Sequence, residues 1–132
     1  MNEQGSFPIA SQRPRGADTA TTIALIQRTL EDGKAEDIVD IDLAGKTTIA
    51  DRMIIASGAS QRQVQALVDR VLRALRDAGR KVIGIEGQSQ GDWVLVDLGD
   101  VIVHVFRPQV RERYNLEKMW SVALPAPMEA HA

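Results

Sequence analysis

The sixteen residues Gly91 to Phe106, GDWVLVDLGDVIVHVF, constrain this chain more than any other stretch, because Gly99-Asp100 interrupts an apolar run with a turn signal. A glycine at the first central position suits a type II′ turn, whose twist matches that of the strands it joins. The strands are then Trp93 to Leu98 and Val101 to Phe106. Their register pairs Leu98 with Val101, Asp97 with Ile102, Val96 with Val103, Leu95 with His104, Val94 with Val105 and Trp93 with Phe106. Alternation sorts these residues into two faces. Val94, Val96, Leu98, Val101, Val103 and Val105 form a wholly aliphatic face that calls for a cover of helices. Trp93, Leu95, Asp97, Ile102, His104 and Phe106 form a mixed face, with a carboxylate, an imidazole and two aromatic rings, and this composition suggests contact with a partner.

The remaining elements follow from periodicity and punctuation. Thr19 to Asp32 reads as a helix with Ile23, Ile26 and Leu30 at helical spacing, Asp18 or Thr19 as its N-cap and Gly33 beyond its end. Ala35 to Leu43 alternates as a strand, with Val39, Ile41 and Leu43 on one face and Ile38, Asp40 and Asp42 on the other, and Ala44-Gly45-Lys46 turns the chain. Arg52 to Ala56 is a continuous apolar run, which suits a strand covered on both faces. Val64, Leu67, Val68, Val71, Leu72 and Leu75 then mark an amphipathic helix capped by Ser60 and closed by Gly79. Lys81 to Glu86 returns as a strand, and the strand-helix-strand order predicts parallel neighbours. A last helix is expected from Arg111 to Trp120. Five strands with helices packed against them make a mixed α/β sheet in a single domain.

A chain of 132 residues, 44% hydrophobic and 26% charged, supports one core. We divide it into an N-terminal tail over 1–18, a folded domain over 19–121 and a loose C-terminal tail over 122–132. The tail before Thr19 has no apolar run and reads as neither signal peptide nor membrane span, so the cytoplasm is the expected location. With no cysteine there is no disulfide framework, thiol nucleophile or cysteine-based zinc site. The net charge of −2 argues against broad nucleic-acid binding, and no sequence-specific recognition is expected. Its distribution is uneven: Arg62, Arg70, Arg73, Arg76, Arg80 and Lys81 outnumber Asp69 and Asp77, whereas Glu86, Asp92, Asp97 and Asp100 follow in the hairpin region.

Two constellations carry candidate chemistry. Asp40 and Asp42 leave the same side of a strand and can together hold a divalent cation for phosphoryl or nucleotidyl transfer, with the Ser57-Gly58-Ala59-Ser60 turn offering amides to a phosphate. An amphipathic strand with a solvated face and a serine-capped helix present the same residues without any chemistry. His104 lies diagonal to Asp97, within reach of an orienting carboxylate, but no serine nearby has the setting of a nucleophile, so a structural or contact histidine is the simpler assignment. The only other histidine, His131, is in the C-terminal tail, and no resident metal or cofactor is expected.

The segments ADRMIIASGAS, RQVQALVDRV, GDWVLVDLGDVIVHVF and RYNLEKMW, in this order between Ala20 and Ser121, resemble the ribosomal silencing factor family, also called the Iojap family. The resemblance implies a nucleotidyltransferase-like α/β fold without transferase activity. It also implies binding to the large ribosomal subunit through its ribosomal protein L-fourteen, where the small subunit would dock, and so repression of translation when nutrients run low. Some members form homodimers. Partner binding is carried onto Trp93, Asp97, His104 and Phe106, with Glu86, Asp92, Asp100 and Tyr114 as rim contacts. A non-enzymatic repressor is therefore the leading expectation, and a metal-dependent transferase built on Asp40 and Asp42 the alternative.

Overall fold

A computed structural model describes residues 15–121, so the expectations for most of the N-terminal tail and for the C-terminal tail lie outside the described residues. The chain runs α1 (Arg15–Asp32), β1 (Glu36–Asp42), β2 (Arg52–Ser57), α2 (Gln61–Asp77), β3 (Gly84–Glu86), β4 (Trp93–Asp97), β5 (Val101–Phe106), α3 (Pro108–Tyr114) and α4 (Leu116–Ser121). The strands form one five-stranded sheet in the order β1-β2-β5-β4-β3. Only β2 and β5 pair in parallel, and every other neighbouring pair is antiparallel. The expected mixed sheet is therefore present.

The β4-β5 hairpin takes the expected register, from Trp93 opposite Phe106 to Asp97 opposite Ile102. Strand β4 ends one residue before the predicted Leu98, whose amide donates to the carbonyl of Val101 at 2.9 Å. Gly99 adopts φ +95°, as the first central position of a type II′ turn requires. The Asp97 carboxylate reinforces the turn by accepting from the Gly99 amide at 2.8 Å. On the aliphatic face Val94, Val96, Leu98, Val101, Val103 and Val105 pack beneath Ile23, Ile26 and Leu30 of α1 and the apolar stripe of α2. Each fully buried valine contributes roughly 1.5–3 kcal/mol of apolar transfer.

Helix α2 follows its predicted pattern: Ser60 Oγ accepts from the Gln63 amide, and Val64, Leu67, Val68, Val71 and Leu75 are buried. Its C-cap is Ala78, one residue before Gly79. Strand β1 divides as predicted, with Ile41 and Leu43 buried below the sheet and Ile38 packed against the helices above it. A bulge between Glu36 and Val39 kinks its start, and Asp37, one of the few residue types that tolerate the left-handed region, adopts φ 52° there.

Three expectations are corrected. Helix α1 already includes Arg15, so Asp18 and Thr19 lie inside it, and the N-terminal tail stops short of Asp18. Strands β2 and β3 are not neighbours, because the hairpin inserts between them; β5, buried at every position, takes the slot beside β2, which is buried at every position after Arg52. The short β3 is left at the outer edge. The last helix is two helices, because Asn115 turns left-handed at φ 49° and closes α3, which Pro108 opens at its first turn.

Candidate partner-binding site

The mixed hairpin face is more enclosed than its composition suggests. Helices α3 and α4 cross it, and Ile41, Leu43, Ala50, Met53, Ile55, Ile102 and Phe106 form a second core there, with Val110 and Leu116 closing over it. Phe106 has no exposed surface and His104 is 4% exposed. Trp93, at the end of β4, remains half-buried. Its ring lies 4.8 Å from Phe106 and 4.8 Å from Tyr114, centroid to centroid, in tilted contacts. Its indole Nε1 donates to His104 Nδ1 at 2.9 Å, which makes Nδ1 the acceptor and leaves the neutral ring's proton on Nε2. Burial pushes the His104 pKa down to about 4, so the imidazole is uncharged at neutral pH.

Trp93 and Tyr114 open onto a cleft of about 290 Å³ whose other walls are Gly87, Gln90, Asp92, Val110 and Arg113. Tyr114 is 52% exposed there. Gly87 has φ +83°, and a Cβ added to it would stand 2.1 Å from the Trp93 carbonyl oxygen, so this wall admits no side chain. The loop is tied back to α2 by Gln61 Nε2, which donates to Asp92 Oδ1 at 3.0 Å, and by Gln65 Nε2, which donates to the Gln88 carbonyl at 3.1 Å. Gln61 and then Arg107, both bonded to Asp92, hold its carboxyl below the usual range. The cleft thus has one aromatic wall supported by core, one glycine-shaped wall and a carboxylate on its lip. Such partly exposed rings on a rigid base are the anchors that protein interfaces favour.

Of the expected contact residues, Trp93, Asp92 and Tyr114 converge on this cleft, and Glu86 is exposed on β3. Asp97 is half-buried and engaged at the turn. His104, Phe106 and Asp100 are corrected: buried side chains offer a partner no surface. His104 and Phe106 instead support the Trp93 ring. Asp100 accepts from Thr19 Oγ1 at 2.7 Å and from Arg80 Nη2 at 2.8 Å, tying α1 to the hairpin turn. Burial opposes its charge, but the Thr19 and Arg80 hydrogen bonds outweigh that and keep its pKa below the usual value. Asp97 does not orient His104: one of its oxygens accepts from the Gly99 amide, and His104 Nδ1 is taken by Trp93.

The constellations needed for a transferase are already engaged. Asp40 is paired with Arg52 through both carboxylate oxygens, and Asp42 accepts from the Ala44 amide at 2.9 Å. In the serine-glycine turn the Gly58 amide donates to the Phe106 carbonyl at 2.9 Å and the Ala59 amide to Gln63 Oε1 at 2.7 Å, so neither is left for a phosphate. Among the described residues no three His, Asp or Glu side chains are grouped to hold a metal ion, and no helix is long and apolar enough to cross a membrane.

A polar cluster escaped the sequence reading. Arg111, 8% exposed, grips Glu117 through Nε at 3.0 Å and Nη2 at 2.9 Å, and its Nη1 donates to Ser57 Oγ at 2.7 Å. The guanidinium holds the Glu117 carboxyl below its ordinary pKa. This clasp fixes α3 and α4 across the break at Asn115 and so sets where Tyr114 stands. A six-residue separation spanning a helix break follows neither spacing that pairs charges on a helix, so the sequence carried no signal for it.

Comparison with known proteins identifies relatives in sequence and in fold. A family described as ribosomal silencing factor during starvation matches residues 17–131. A protein named ribosomal silencing factor RsfS from Zymomonas mobilis is 48% identical over 103 residues, 78% of this chain and 77% of its own. One of the same name from Chromobacterium violaceum is 46% identical over 97 residues, 74% of this chain and 80% of its own. A crystal structure from Chromobacterium violaceum superposes with a TM-score of 0.76 at 43% identity, covering 81% of this chain and 89% of that one.

Proposed function

Because the chain belongs to the ribosomal silencing factor family, we propose that it binds the large ribosomal subunit through ribosomal protein L-fourteen and keeps the small subunit from joining. Repression of translation under nutrient limitation follows from that blockade, and the protein acts in the cytoplasm by occupancy, without turnover. The observation that carries this reading is the cleft between Trp93 and Tyr114, a partly exposed aromatic wall on a base of core residues. Trp93 and Tyr114 are the anchors, with Asp92, Glu86 and Asp97 as an acidic fringe. Acidic groups beside an apolar anchor suit a basic ribosomal protein and steer its approach.

Sucrose-gradient sedimentation of separated subunits with and without the purified protein tests the reading. Added protein reduces the joined fraction and travels with the large subunit; unchanged joining at saturating protein overturns it. Calorimetric titration with magnesium and nucleotide tests the transferase alternative, which requires heat of binding from the folded chain.

A further inference from the structure

Two sets of arginines in this chain contrast in their surroundings. Arg52, Arg80, Arg107 and Arg111 are each locked to a carboxylate within the fold. Arg62, Arg70, Arg73 and Arg76 instead stand exposed on α2, where Arg76 makes a solvated contact with its neighbour Asp77 at 3.6 Å. At 3.6 residues per turn, Arg62, Arg73 and Arg76 lie within about 60° of one another and opposite the buried stripe, along about 20 Å of helix. Asp69 and Asp77 share this surface, which still keeps a positive excess on a chain of net charge −2. Helix α2 contains no lysine, and its arginines offer the planar donor fork that fits phosphate oxygens. The line begins at the lip of the cleft, since Gln61, the residue before Arg62, holds Asp92 on the cleft wall.

Resting on the ribosomal reading, we propose that this face of α2 binds the phosphate backbone of ribosomal RNA beside the protein partner, without reading its sequence. The chain then holds the large subunit by two chemistries, an aromatic anchor in protein and a row of guanidiniums on RNA. Phosphate contacts release counterions, so their contribution falls steeply with salt, whereas the aromatic contact is nearly indifferent to it.

The test is binding of the full chain and of the triple variant Arg62→Gln, Arg73→Gln, Arg76→Gln to purified large subunits between 50 and 200 mM salt, in parallel with binding to the isolated L-fourteen protein. Three lost contacts lower the slope of log affinity against log salt by about 2 to 3, so the unaltered chain loses about 40-fold more affinity than the variant across that range. Binding to the isolated protein is the same for both. Equal salt slopes on subunits overturn the inference alone, as does an equal loss on the isolated protein, which would place the arginines on protein instead. If the unaltered chain fails to bind subunits at any salt, the ribosomal reading fails first and this inference with it.

Discussion

Acidification should destabilise this protein in a window set by His104. The ring is 4% exposed and its pKa lies near 4, against 6.5 for a free imidazole. Above about pH 7.5 both folded and unfolded rings are almost wholly neutral and the group contributes next to nothing. At pH 5 the unfolded ring has taken up nearly its whole proton while the folded ring has taken up about a tenth, so the unfolded state is favoured. Integrating that difference from pH 7 gives about 2 kcal/mol lost by pH 5, approaching about 3 kcal/mol below pH 4. The perturbation is His104→Gln, whose amide oxygen can still accept from Trp93 Nε1 and which does not titrate. Urea unfolding of both proteins at pH 7, 6 and 5 should show the parent losing about 2 kcal/mol more than the variant, with His131 and the carboxylates cancelling in the difference. Parallel stability curves, or a folded His104 resonance titrating near pH 6.5, would refute the argument that burial keeps this imidazole neutral.

Tyr114→Ala should weaken binding to large subunits by at least about 2 kcal/mol while leaving the urea midpoint nearly unchanged, because the ring is 52% exposed; titration of labelled protein with subunits measures the first effect. Glu117→Ala strands the buried Arg111 guanidinium and should cost about 3 kcal/mol of folding stability in urea melts at neutral pH. Val103→Asp buries a lone carboxylate at a position with no exposure and should abolish the cooperative thermal transition seen by circular dichroism.

The hairpin and helix α2 were legible in the sequence because their signals are local. A glycine turn sets the register between Trp93 and Phe106, and a 3.6-residue stripe sets the buried face from Val64 to Leu75. Local signals did not reach the placement of β3, since nothing in Gly84 to Glu86 says that a later hairpin will separate it from β2. They also failed on His104 and Phe106. Alternation correctly placed these side chains on the mixed face, but their burial depends on α3 and α4 folding back over the sheet, and that return is governed by Asn115 and the clasp of Arg111 on Glu117. The cleft itself is a long-range product: Gly87, Trp93 and Tyr114 come from three separate elements and connections.

The parallel pairing of β2 with β5 also dictates when this sheet can close. Arg52 meets Val101 and Ser57 meets Phe106, so the central pair joins residues more than a third of the chain apart. During synthesis β1 and β2 emerge together and can pair, but one side of the very apolar β2 stays open until the whole of β5 has left the exit tunnel. In that interval an apolar strand edge is on offer to any other chain. Helix α1, already made, and helix α2, which follows β2 directly, share a buried cluster with Ile54 and Ala56 and are the elements available to cover this strand in that interval.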